Sequence, residues 1–233
     1  MQRTAIVTGG TAGIGLAIAE TLVRRGHSVF VCGRDADRLE RAIRQLESLG
    51  KDRVAGTTCD VRSLASVESM VAAARERFAR IDALINSAGI AFIKPFPEIS
   101  PEEWRDIVDT NLTGVFNCCC AVLPLLRKAG GGDIVNLGSR SGRYAFRGGV
   151  GYNTTKFGLQ GLTEALFLDL SSEGIRVSLV APGTVATGLG GTAPEPWHLQ
   201  PDDVAKVVVD LLEADQRACL NWVEIRPARP PGG

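Results

Sequence analysis

The chain has 233 residues, with 26 Lys and Arg balanced by 26 Asp and Glu, and 45% of its residues are hydrophobic. That length can bury a substantial core and fits one large α/β domain as well as two small ones, with composition favouring a single unit, and scattered basic residues without a basic stripe speak against a nucleic-acid partner. No apolar run approaches membrane-spanning length, and a periodic pattern starts at Thr4, leaving no room for a targeting segment, so a cytoplasmic protein without membrane contact is expected. The six cysteines include the contiguous Cys118, Cys119 and Cys120, with Cys32, Cys59 and Cys219 isolated. This is neither metal-ligand spacing nor a disulfide framework, so no metal is expected and the thiols read as reduced, small core residues.

Short apolar, β-branched runs recur at residues 5–8, 28–32, 54–58, 83–86, 133–137, 176–180 and 222–225, with helical patterns between almost all of them. This alternation predicts a single-domain, doubly wound parallel sheet of the Rossmann-like α/β class with helices on both faces. The domain spans residues 1–226, and residues 227–233 form an irregular Pro/Gly-rich tail. The first strand runs into Thr8-Gly9-Gly10-Thr11-Ala12-Gly13-Ile14-Gly15, followed by a helical pattern over residues 16–25. Strand, glycine turn and helix in that order suit a pyrophosphate, because the turn lets backbone approach it and the helix start supplies free amides. At the end of the second strand, Gly33 stands where a carboxylate would bind the ribose of NAD, and Arg34 follows it. A guanidinium there favours the extra phosphate of NADP(H). Asp35 keeps NAD(H) open, unless it only caps the helix that begins at Ala36.

Two further helical patterns, at residues 104–126 and 152–170, are apolar on nearly every side. A helix covering a sheet should keep a polar face, so the pattern predicts contact with a second copy in a homo-dimer or homo-tetramer, unless long loops cover the helices. Pro124 should kink the first of them or loosen its last turns. Tyr152 and Lys156 are four residues apart, which sets a phenol and an ammonium on one helical face. An ammonium near a phenol draws its pKa down from about 10, so the pair could exchange a proton near neutral pH. Taken alone, the pair could equally be an exposed helix turn.

The glycine turn, Asn86-Ser87-Ala88-Gly89, Asn111 in Asn-Leu-Thr-Gly, Ser139 thirteen residues before Tyr152, Tyr152-x-x-x-Lys156, and Pro182-Gly183 with Thr187 occur in this order along the chain. Together they resemble the short-chain dehydrogenase/reductase family. The resemblance implies that Gly9, Gly13, Ile14 and Gly15 line the pyrophosphate and that Asp60 and Val61 contact the adenine; Thr11 and Arg34, the latter at the extra phosphate, complete that part of the expected cofactor site. It likewise implies that Asn86, Ala88 and Gly89 sit beneath the ribose side and that Pro182, Gly183, Val185 and Thr187 hold the nicotinamide end. Tyr152 would be the general acid in carbonyl reduction, and Lys156 would lower its pKa and grip the ribose. Ser139 would steady the substrate oxygen, and Asn111 would hold a water linking Lys156 to solvent. Ser87 stands where the family more often has a second Asn.

The resemblance implies an NADP(H)-dependent carbonyl reductase or alcohol dehydrogenase acting on a small molecule, with a 3-oxoacyl compound or a small 3-hydroxy or 3-oxo acid as competing substrates. A dinucleotide-binding redox sensor without turnover is the alternative, and the Asn111, Ser139, Tyr152, Lys156 set argues against it. Residues 188–200 form a short, glycine-rich lid, which suggests an open pocket. Arg140, Arg143 and Arg147 crowd the segment before Tyr152, either as solvated loop residues or with one of them meeting an anionic substrate tail. His27 and His198 fall in turns and loops and are poor candidates for catalysis.

Overall fold

The computed structural model describes residues 2–191 and 193–230. Seven strands form one sheet: β1 (Thr4–Thr8), β2 (Ser28–Gly33), β3 (Val54–Thr58), β4 (Ala83–Asn86), β5 (Gly132–Leu137), β6 (Ile175–Pro182) and β7 (Trp222–Ile225). Their order is β3-β2-β1-β4-β5-β6-β7, and every pairing is parallel. Parallel strands must be covered on both faces, and β1, β2, β4 and β6 are buried along almost their whole length. The helices α1 (Gly13–Arg24), α2 (Ala36–Glu47) and α7 (Pro201–Glu213) cover one face. The other is covered by α3 (Leu64–Phe78), α5 (Gly114–Ala129) and α6 (Val150–Leu170), with α4 (Pro101–Val108) leading into α5.

Local chemistry starts the helices. Asp35 and Ser63 accept hydrogen bonds from Arg38 N and Ser66 N, and Ser100 with Glu103 forms a reciprocal capping box ahead of Pro101. Asp35 therefore does cap α2.

Between α4 and α5 the chain passes through a π-helical turn, Asp109–Thr113, which the periodicity did not reveal. The three segments form one continuous helix over Pro101–Ala129, so, contrary to expectation, the protein has a helix long and apolar enough to cross a membrane. Half of its most apolar window is buried in the protein, as suits a helix packed on a sheet. The helix also continues through Pro124 instead of ending there. Pro124 removes one i→i−4 hydrogen bond, and the carbonyl that loses it, on Cys120, lies at an exposed position where water can serve it.

The inner sides of the two apolar helices pack on the sheet through Cys118, Val122, Leu126 and Leu159. Phe116, Phe157 and Leu168 on these helices remain exposed, Leu168 at 67%. Among the described residues, no loop covers them. Cys32, Cys59, Cys118 and Cys119 are buried as small core residues, whereas Cys120 is exposed. After β7 the chain is irregular as far as residue 230; the rest of the expected tail, residues 231–233, lies outside the described residues.

Candidate active site

The order of strands reverses between β1 and β4, and the glycine turn leaves the sheet at that point. Gly9 has φ +66°, and a Cβ there would lie 2.8 Å from Ala88 Cα; a Cβ on Gly15 would lie 2.3 Å from the Gly9 carbonyl oxygen. Only glycines allow the turn, the start of α1 and the exit of β4 to close together. Thr8 fastens the junction, its Oγ1 accepting from Ser87 N at 3.1 Å and Ala88 N at 3.2 Å. The N-cap of α1, Ala12, offers no side-chain cap, and the first turn holds no acidic residue. The amides of that turn and the positive end of the helix dipole are left for an anion.

A cavity of about 800 Å³ opens beside this turn. Gly9, Gly13, Ile14 and Gly15 line one side, and Ser139, Tyr152, Lys156, Pro182, Gly183, Val185 and Thr187 line the other. A second cavity of about 630 Å³ is lined by Thr11, Arg34, Asp60 and Val61. The two share Gly9, Arg38, Ala88, Gly89 and Ile90, so together they make one trough along the carboxyl ends of the strands. The trough suits a dinucleotide: it has a glycine cradle, uncapped amides and, in the second cavity, the buried Thr110 hydroxyl without a hydrogen-bond partner. A Cβ at Gly33 would lie 2.8 Å from Thr11 Cγ2, so a carboxylate-bearing side chain there would have to displace the Thr11 side chain. Arg34 remains at that position, near enough to Asp60 to help hold its carboxyl below the ordinary range, although Arg62, hydrogen-bonded to Asp60, is the main cause.

At the reacting end, Lys156 Nζ lies 5.7 Å from the centroid of the Tyr152 ring. It donates to the carbonyl of Leu137 at 2.7 Å. Burial lowers the Lys156 pKa to about 8. Burial also raises the Tyr152 pKa, with the Ser139 hydroxyl pulling the other way. In this structure desolvation of the phenolate outweighs the help of the Ser139 hydroxyl, and the hydrogen bond of the Lys156 ammonium goes to Leu137.

Two residues stand apart from the trough. Asn86 is 2% exposed and turns inward, its Nδ2 donating to Asn136 Oδ1 at 2.8 Å. Its side chain therefore lies in the core, not at the trough surface expected for it beneath a ribose. Asn111 sits on the π-turn and spends its side chain on neighbours: Nδ2 donates to Ile90 O at 2.9 Å and Thr155 Oγ1 at 3.1 Å, while Oδ1 accepts from Ile90 N at 2.9 Å. The sequence reading did not single out Arg38, which reaches both cavities. The available signal was a second arginine close behind Arg34: Arg34 lies just before α2 and Arg38 in its first turn. His27 and His198 lie outside both cavities, and each accepts a backbone N–H through Nδ1. Among the described residues, no cluster of three His, Cys, Asp or Glu side chains could hold a metal.

Residues 3–196 match the family model described as short chain dehydrogenase. A 3alpha-hydroxysteroid dehydrogenase of Mediterraneibacter gnavus is 37% identical over 195 residues, covering 83% of this chain and 78% of the relative. An alcohol dehydrogenase from the archaeon Thermococcus sibiricus, complexed with 5-hydroxy-NADP, superimposes with a TM-score of 0.92 at 30% identity, covering 99% of each chain. An actinorhodin polyketide ketoreductase with NADPH superimposes with a TM-score of 0.90 at 33% identity, covering 97% of this chain and 96% of that one. With the family model matching most of its length, the chain belongs to the short-chain dehydrogenase/reductase family of oxidoreductases.

Proposed function

We propose that the protein is an NADP(H)-dependent oxidoreductase that interconverts a carbonyl and a secondary alcohol on a small molecule. One observation carries this reading: Ser139, Tyr152 and Lys156 face the same cavity as the uncapped glycine turn. The NADP-type ligands of structural neighbours, together with Arg34 and Arg38 on the outer cavity, support NADP(H) over NAD(H). Bound in the trough, the nicotinamide would supply or accept the hydride.

In the reductive direction Tyr152 donates its phenolic proton to the carbonyl oxygen, and Ser139 donates a hydrogen bond to the same oxygen as negative charge builds there. A phenol held above its ordinary pKa is fully protonated at neutral pH, as a proton donor must be. In the oxidative direction the same phenol has to be ionised first, so oxidation gains from rising pH while reduction does not. Lys156, already pointed at the strand end beside Tyr152, would hold the ribose of the bound cofactor and stabilise the phenolate when it forms. A water that returns the proton would rest on the main-chain carbonyl of Asn111, since the side chain is committed to Ile90 and Thr155. The exposed Phe116, Phe157 and Leu168 join two subunits or more; a monomer in light scattering would refute that pairing.

Parallel turnover assays with NADPH and NADH across short 3-oxo acids, acyl thioesters and bulky ketones test the proposal. NADPH consumption with at least one ketone is expected. Tight NADPH binding without consumption by any ketone would replace it with the redox sensor.

A further inference from the structure

The cavity wall beyond Ser139 carries an arrangement that the hydride-transfer machinery does not use. Three guanidinium groups gather on the ring of Tyr144: Arg140 at 5.0 Å from its centroid, Arg143 at 5.7 Å and Arg226 at 5.7 Å. Arg226 has a carboxylate partner in Glu224. Arg140 and Arg143 form no ion pair within the described residues, so the cluster holds an excess of positive charge. Like charges brought together raise each other's energy, and a nearby anion relieves that repulsion. The residues lining the main cavity include Arg38, Arg140 and Lys156, and no Asp or Glu.

Of these cations, Arg38 reaches the ribose end and Lys156 lies at the reacting end. Arg140 alone stands on the substrate side, with Tyr144, Phe146, Ile93 and Leu189 lining the same cavity. Stacking on Tyr144 restrains the guanidinium and leaves its N–H edge free for a planar, bidentate partner. Arg140 directly follows Ser139, and both line the same cavity, so an anion bound to Arg140 shares that cavity with the oxygen that Ser139 would hold. Arg147 does not reach the cavity.

Building on the oxidoreductase reading, we propose that Arg140, braced on Tyr144, binds the carboxylate of the substrate, and that short oxo and hydroxy acids are preferred over neutral ketones of the same skeleton. Acetoacetate and methyl acetoacetate, with saturating NADPH, form the matched pair of probes. The wild type should favour the acid. In Arg140→Ala the acid-to-ester ratio of kcat/KM should fall about 10- to 100-fold, mainly through KM for the acid. Arg140→Lys should keep part of the preference, and Arg147→Ala should keep the wild-type ratio.

Equal ratios in wild type and Arg140→Ala, with the ester turned over, would overturn the carboxylate site and leave the oxidoreductase reading intact. Saturable acetoacetate binding by calorimetry, lost in Arg140→Ala but unaccompanied by turnover of either probe or of any ketone in the wider panel, would uphold the site and remove the oxidoreductase reading. Neither binding nor turnover would overturn the site. So would a preference for acetoacetyl-coenzyme A over acetoacetate.

Discussion

At the amino-terminal edge of the sheet, Asp133 at the start of β5 is 1% exposed and paired with both Arg3 and Arg176. Arg176 also donates to the carbonyls of Leu212, Ala214, Asp215 and Ala218, and Asp82 accepts from Thr4 N at 2.8 Å. At the carboxyl edge the treatment of charge is the opposite. Among the described residues, Lys156 is buried with only the Leu137 carbonyl as its partner, Arg140 stacks on a tyrosine without a carboxylate, and the start of α1 is uncapped. One edge satisfies its charges within the fold, while the other leaves them for ligands to satisfy. Buried charges without partners cost stability, so the carboxyl edge is held in place by the rest of the molecule, the amino edge included.

Breaking each edge should give a different signature. The largest effect is expected for Tyr152→Phe, which removes the proton donor and should cut kcat by about 10²- to 10⁴-fold, leaving NADPH binding and melting temperature close to wild type. Next comes Asp133→Ala at the other edge, which strands Arg3 and Arg176 and should cost about 3–5 kcal/mol in urea unfolding, with kcat per folded molecule retained. If Asp133→Ala instead lowered kcat at unchanged stability, the division between the edges would fail.

Lys156 links the edges through pH. Its folded pKa of about 8 lies below the ordinary 10.5, so between those values the unfolded chain binds more protons than the folded one. Stability must therefore rise with pH across that window, as the burial penalty of the ammonium is relieved. Relative to Lys156→Met, the wild type should gain roughly 3 kcal/mol between pH 8 and 10.5, at about 1.4 kcal/mol per pKa unit; parallel profiles of unfolding free energy would contradict this. The smallest effect is expected for Arg34→Ala, about 10- to 100-fold weaker NADPH binding with NADH binding unaltered, read by fluorescence titration.

The sheet and the trough were legible because they rest on local signals. Both-face apolar runs put every strand within two residues of its observed bounds, and the glycine turn after β1 marks the switch point of the sheet. What escaped the sequence depends on tertiary neighbours. The π-turn at Asp109–Thr113 has no periodic signature, and the inward turn of Asn86 depends on Asn136, fifty residues away along the chain. The spacing of Tyr152 and Lys156 brings both to one cavity, but spacing carries no information about burial, which raises the pKa of the phenol and lowers that of the ammonium. Arg140 could not be separated from Arg143 and Arg147 until the cavity wall was visible.

Deuterium tracing tests the central claim most directly. NADPH carrying deuterium on both positions of its nicotinamide C4 is incubated with the wild-type protein and the ketone panel, and the product alcohols are analysed by mass spectrometry. The account predicts one deuterium at the carbinol carbon of at least one product, and none with Tyr152→Phe over the same interval. NADPH that binds and is recovered with its label intact in the presence of every ketone would contradict it.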